Sequence, residues 1–133
     1  MTDAAPRHQQ RERALSLLYE AELKGQGPLQ VVEALPVPPD PYVRTLLRHA
    51  ADTREEADRR IAGASVGWPL DRMAVVDRIV LRLALAELLD PDGPPTAVVI
   101  DEAVELVKVY STDESGRFVN GILSTIVTDI GPR

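Results

Sequence analysis

Apolar positions along this chain recur at intervals of three and four residues, and two-residue alternation is almost absent, so the expected elements are helices. Only Val98-Val99-Ile100 is ambiguous. Arg7 to Lys24 reads as a helix with Ala14, Leu17, Leu18 and Ala21 on one face, stopped by Gly25 and Gly27. Pro28 to Ala34 predicts a short helix before the Pro36-Val37-Pro38-Pro39 break. Asp40 and Pro41 have the N-cap and first-turn signature of a third helix, whose stripe is Val43, Leu46, Leu47 and Ala50. Thr53 and Glu56 stand at capping-box spacing, so a fourth helix is expected from there through Ile61 toward Gly67.

Beyond Trp68-Pro69, the stretch Leu70 to Leu89 is apolar on most of its circumference and reads as one helix surrounded by others. Pro91, Gly93, Pro94 and Pro95 end it. Thr96 to Tyr110 carries Val99, Ala103, Leu106 and Tyr110 on one face, and Asp113 to Ile130 carries Val119, Ile122, Leu123, Ile126, Val127 and Ile130 before Gly131-Pro132. The expectation is an all-α bundle of about seven helices. It would form one domain of two small sub-bundles, about 7–66 and 68–130, with a seam at Gly67-Trp68-Pro69.

Composition narrows the function. The 133 residues include no cysteine, which excludes disulfides, thiolate metal sites and a Cys nucleophile. Met1 to Pro6 lacks an apolar segment of the signal-peptide kind, and Met73 to Leu89 is interrupted by Asp77, Arg78, Arg82 and Glu87. A cytoplasmic protein with no membrane association is expected. His8 and His49 lie on different helices with no nucleophile at a catalytic spacing, and no phosphate-cradling glycine motif is present. Asp101, Glu102 and Glu105 read as a solvated helix face near a helix N-terminus, where acids are favourable, rather than as ligands of a hard cation. No enzyme, cofactor or metal site is expected.

The net charge of −6 argues against nucleic-acid binding by bulk electrostatics, but its distribution is uneven. Met1 to Leu83 holds 12 basic and 12 acidic residues; Ala84 to Arg133 holds 3 and 9. Nearly all the cations are arginines, the better residue for phosphate forks and stacking. Arg7, Arg11 and Arg13 open the first helix, opposed only by Glu12. Tyr110 and Phe118 flank the segment Ser111 to Gly116, either as clamps on it or as stacking faces for unpaired bases.

Arg117-Phe118-Val119-Asn120-Gly121-Ile122-Leu123, together with Val99 to Lys108, resembles the C-terminal helices of the NusB family of bacterial antitermination factors. The resemblance extends back through Val76 to Leu88 and to Arg11-Glu12-Arg13-Ala14-Leu15-Ser16-Leu17-Leu18-Tyr19. The FVNG element also occurs in the NusB-like domain of certain RNA cytosine methyltransferases; the expectation is that no methyltransferase domain accompanies this chain, which favours the antitermination family. The resemblance implies a transcription antitermination factor. Such a factor binds boxA RNA in ribosomal RNA leader transcripts with NusE, a ribosomal small-subunit protein, and joins other Nus factors on RNA polymerase. It implies RNA contacts at Arg7, Arg11, Tyr19, Tyr110, Glu114, Arg117 and Phe118. A partner surface is implied around Asp77 and Leu81, with neighbouring positions on the helix after Pro95. Dimerisation, known for some NusB-like proteins, stays open.

Two motif residues carry structural expectations of their own. Gly121 is read as a site of tight helix packing, and Asn120 as a buried hydrogen-bonding anchor. His8, Gln9 and Gln10 stand where many family members have more Arg or Lys, which makes unaided RNA binding weak and a basic partner necessary. The alternatives are a protein-interaction bundle with little RNA binding of its own and an accessory domain of an RNA methyltransferase.

Overall fold

The computed structural model describes residues 6–131 and contains seven α-helices, with no strand among them. The helices are α1 (Arg7–Lys24), α2 (Pro28–Glu33), α3 (Pro41–Asp52), α4 (Arg54–Ala64), α5 (Val75–Leu88), α6 (Thr96–Tyr110) and α7 (Asp113–Ile130). Gly25, at φ 63°, closes α1 in the left-handed conformation that a Cβ disfavours. The readings that fall on Met1–Ala5 and on Pro132 and Arg133 lie outside the described residues.

Two features differ from the sequence reading. Leu70 to Leu89 is not one helix: a single 3₁₀ turn, Leu70–Arg72, is followed by extended backbone at Met73 and Ala74, and α5 starts at Val75. The Leu70 carbonyl accepts from the Met73 amide at 3.1 Å and from Arg78 Nη1 at 3.1 Å, so it is satisfied without a continuous helix. The extended step also turns Met73 into the core. At Thr53 the capping box does not form; its hydroxyl donates to the His49 carbonyl at 2.6 Å, closing α3 rather than opening α4.

The helices share two apolar clusters. The smaller is built by Ala14, Leu17 and Ala21 of α1, Val31 and Val32 of α2, Val43, Leu46 and Leu47 of α3, and Leu83 of α5. The larger surrounds α5 with α4, α6 and α7, and Leu15 of α1 enters it from the other side. Ala57 and Ile61, which precede Gly67, are buried with residues that follow it. Helix α5 is the axis of the molecule, with ten of its residues buried. Each fully buried Leu, Ile or Val stabilises by about 1.5–3 kcal/mol before ordering entropy is set against it. The arginines that interrupt α5 serve the same assembly. Arg78 meets Glu22 of α1 at 2.7 Å and Arg82 grips Asp58 of α4 at 2.7 and 3.1 Å, so α1, α4 and α5 are joined by polar contacts around their shared apolar surface.

Candidate nucleic-acid interface

The first turn of α1 sends Arg7 and Arg11 to different fates. Arg7 is exposed, donates to Gln10 Oε1 at 2.6 Å and lies 3.7 Å over the ring of Tyr42. A cation at a helix N-terminus is unfavourable to the helix dipole, and this stacking offsets it. Arg11 turns inward and is buried, donating from Nε and Nη2 to the two carboxylate oxygens of Glu87 at 2.8 and 2.9 Å. Burial opposes its charge, but the bonds to Glu87 outweigh that and push the guanidinium pKa up. Tyr42 completes the group by donating to Glu87 Oε2 at 3.2 Å. The expected phosphate fork at Arg11 is therefore corrected: its fork is closed on α5.

The outer flank of α1 carries His8, Glu12, Leu15, Ser16 and Tyr19 toward the start of α5 and the end of α6. Glu12, Leu15, Ser16, Tyr19, Val76 and Tyr110 line one open groove there. Tyr110 does not continue the buried face of α6, as its periodicity suggested. It stands half exposed and donates its hydroxyl to Glu12 Oε2, which raises the phenol pKa. His8 Nδ1 approaches Glu102 of α6 at 2.9 Å, and its Nε2 lies 3.6 Å from Glu12. The hydrogen bond with Glu102 raises the imidazole pKa and outweighs the opposing effect of desolvation.

Helix α7 opens on Thr112, whose hydroxyl accepts from the Ser115 amide at 3.0 Å, with Asp113 and Glu114 in the favourable first turn. The Ser115 hydroxyl donates to Asp77 Oδ2 at 2.9 Å, fixing this turn to α5. Asp77 Oδ1 has no hydrogen-bond partner among the described residues. Glu114 and Arg117 are exposed, while Phe118 is partly buried against the larger cluster. Arg117 faces Lys108 of α6 across a shallow surface that includes Asp101, Glu105 and Asn120.

Four further expectations are corrected here. Asp77 and Leu81 are buried, at 7% and 0% exposure, so neither presents a side chain to a partner. Asn120 is exposed, because it lies about 100° around α7 from Val119 on the side away from Ile122. Gly121 is exposed with open space where a Cβ would stand; the close packing is at Gly116, where a Cβ would meet Lys108 at 3.1 Å.

The NusB family model matches residues 8–128. The chain belongs to the NusB family. The transcription antitermination protein NusB of Saccharopolyspora erythraea is 45% identical over 133 aligned residues, covering 96% of this chain and 89% of that protein. A solved structure of T. maritima NusB superposes with a TM-score of 0.85 at 35% identity, covering 96% of this chain and 94% of that one. A crystal structure of the antitermination factors NusB and NusE in complex with double-stranded RNA matches at a TM-score of 0.75 and 32% identity, over 92% and 96% of the two chains.

Within this NusB-family chain, the sequence-expected residues fall on three surfaces rather than in one cleft. Tyr19 and Tyr110 share the α1–α6 groove. Arg7 borders a second groove with Tyr42, His49, Asp90 and Glu102, and Arg117 lies on the third surface beside Lys108. His8 links the first two, since it contacts both Glu12 and Glu102. Sequence reasoning missed Tyr42 and Glu12. The one available signal was the scarcity of aromatics, which makes any tyrosine beside an arginine cluster informative. Among the described residues no group of acidic or histidine side chains is arranged to hold a metal ion, and no helix is long and apolar enough to cross a membrane.

Proposed function

We propose that this chain acts as a cytoplasmic transcription antitermination factor. It binds boxA-type RNA of ribosomal RNA leader transcripts together with NusE and so suppresses premature termination as part of the Nus assembly on RNA polymerase. The observation that carries the reading is the open groove bordered by the half-exposed rings of Tyr19 and Tyr110. Exposed aromatics lose water contact by stacking on unpaired bases, a gain of about 1–3 kcal/mol per base. A solved relative in which NusB is bound to NusE and double-stranded RNA supports NusE and an RNA as partners.

Arg7, Arg117 and Lys108 supply phosphate contacts, with Glu114 and Phe118 at the neighbouring turn of α7. Since Asp77 and Leu81 are buried, the protein partner docks on exposed α6 positions such as Val98, Asp101 and Glu105. The carboxylates of Asp101 and Glu105 suit a basic ribosomal protein. The reading is tested by a salt titration of fluorescent boxA RNA with the chain and NusE mixed. Binding several-fold tighter than to a scrambled RNA is expected, with a log–log salt slope of only about 2–4 from so few cations. Equal affinity for both RNAs would sink the proposal.

A second reading is favoured by the Arg11–Glu87 pair, which removes one cation from the RNA surface. In that reading the bundle binds proteins and contributes little to RNA. Arg7→Ala decides: unchanged RNA affinity and salt slope of the complex would favour it.

A further inference from the structure

We infer that the Glu12 carboxylate reads the Watson–Crick edge of a guanine held between Tyr19 and Tyr110. The inference rests on the RNA-binding reading above and adds a base-specific group to it. Three observations carry it. The groove has an apolar floor, Leu15 and Val76, and aromatic rims, Tyr19 and Tyr110, which is the lining a base face needs. Among the described residues that line it, Glu12 alone is charged. A carboxylate in that place repels phosphate, so the backbone cannot track across it, whereas a base edge carrying N–H groups can meet it. Finally, the Tyr110 hydroxyl bonds to Glu12 Oε2 while His8 Nε2 stands 3.6 Å from Oε1, beyond hydrogen-bond distance, so the side chain is fixed before any ligand arrives and each oxygen keeps a lone pair for a donor.

The acceptor-only chemistry selects the base. Guanine offers N1–H and the N2 amino group side by side, two parallel donors for two carboxylate oxygens. Adenine and cytosine offer one donor beside an acceptor nitrogen, and uracil places its single N–H between two carbonyl oxygens. Each of those three sets a lone pair against the carboxylate, so guanine is the match and uracil the poorest fit.

The test uses the full chain with NusE and fluorescent boxA RNA in which each guanosine is replaced in turn by inosine, lacking only the N2 amino group. With the wild-type chain, inosine at one position is expected to weaken binding about tenfold. With Glu12→Gln, whose side chain is isosteric but half donor, that ratio should fall to near one while the circular-dichroism melt stays that of the wild type. A tenfold ratio preserved in Glu12→Gln overturns the assignment, as does a wild-type complex indifferent to inosine at every position. Tyr110→Phe keeps the ring and removes only the hydroxyl that pre-orients the carboxylate, so overall affinity should fall while the inosine ratio stays well above one; a ratio of one would move the reading group to the Tyr110 hydroxyl and overturn the role of Glu12. A wild-type complex that fails to prefer boxA over scrambled RNA removes the RNA-binding reading itself, and this inference with it.

Discussion

Arg11 and Glu87 meet inside the protein as a two-pronged ion pair, with Nε and Nη2 of the arginine 2.8 and 2.9 Å from the two carboxylate oxygens. Each side chain is about 95% buried, and the tyrosine hydroxyl of Tyr42 bonds to the same carboxylate. The pair joins the first turns of α1 to the last turn of α5. Removing one partner leaves the other charge buried alone. Arg11→Ala is therefore expected to destabilise the fold by about 3–5 kcal/mol in urea denaturation, and Arg11→Met with Glu87→Leu to recover most of that loss. A cost for Arg11→Ala below about 1 kcal/mol would show that the pair is not the structural tie its geometry indicates.

Asp77 and Leu81 divide a structural role from a docking role. Leu81→Ala is expected to cost about 2–5 kcal/mol of stability, because its side chain is fully buried. Asp77→Ala should cost about 1–3 kcal/mol and loosen the first turn of α7, whose Ser115 loses its acceptor. Affinity for NusE, measured calorimetrically on the folded fraction, should be nearly unchanged in both. A selective loss of that affinity without loss of stability would return these positions to the interface.

Acid should loosen the junction of α1 with α5 through Glu22. Burial pushes its carboxyl pKa up, but the hydrogen bond from Arg78 and the fields of Arg78 and Arg82 outweigh it, so the folded value lies below the usual one. A depressed folded pKa contributes stability that is present above the unfolded value and lost as pH falls through the folded one. Urea midpoints measured between pH 6 and pH 3 should therefore fall less steeply in Glu22→Gln than in the wild type. His8 has the opposite sign. Its raised pKa contributes stability below the unfolded value that disappears as pH rises past the folded one, and exposure keeps that contribution small. Nuclear magnetic resonance titration should find the His8 pKa above that of an isolated histidine, and Glu102→Gln should bring it back.

Two glycines of α7 should respond to alanine with different signs. Gly121 has open space around it, so Gly121→Ala is expected to stabilise by about 0.5–1 kcal/mol and raise the Tm by about 3 °C. Gly116→Ala would press its methyl on the Lys108 side chain at 3.1 Å, and the gain in helix propensity should be cancelled or reversed. Thermal melts of the two variants give the comparison directly.

Helix number and most helix ends were legible because local chemistry dictates them. Gly25 needs a positive φ, Pro41 fits a first turn, and Val43, Leu46, Leu47 and Ala50 share one buried face. The break at Met73 and Ala74 was not legible, since the apolar spacing across it suits a helix equally well. What decides it is a distant group, Arg78, which takes the Leu70 carbonyl. The site was half legible for a related reason. An arginine near a helix start looks the same whether it faces water, as Arg7 does, or a carboxylate 76 residues away, as Arg11 does. Asn120 lies outside because the buried face of α7 is marked by Ile122 as well as Val119, and Asn120 is on the far side of Val119 from Ile122.

Leu83 of α5 belongs to the smaller cluster, while Leu15 of α1 belongs to the larger. Each helix thus lends a leucine to the other's core, so neither core can lose its packing while the other keeps its own. Cooperativity is built in at those two positions. Calorimetry should record a single heat-absorption peak with equal calorimetric and van't Hoff enthalpies, and truncating Leu15 and Leu83 together should be the shortest route to splitting it into two.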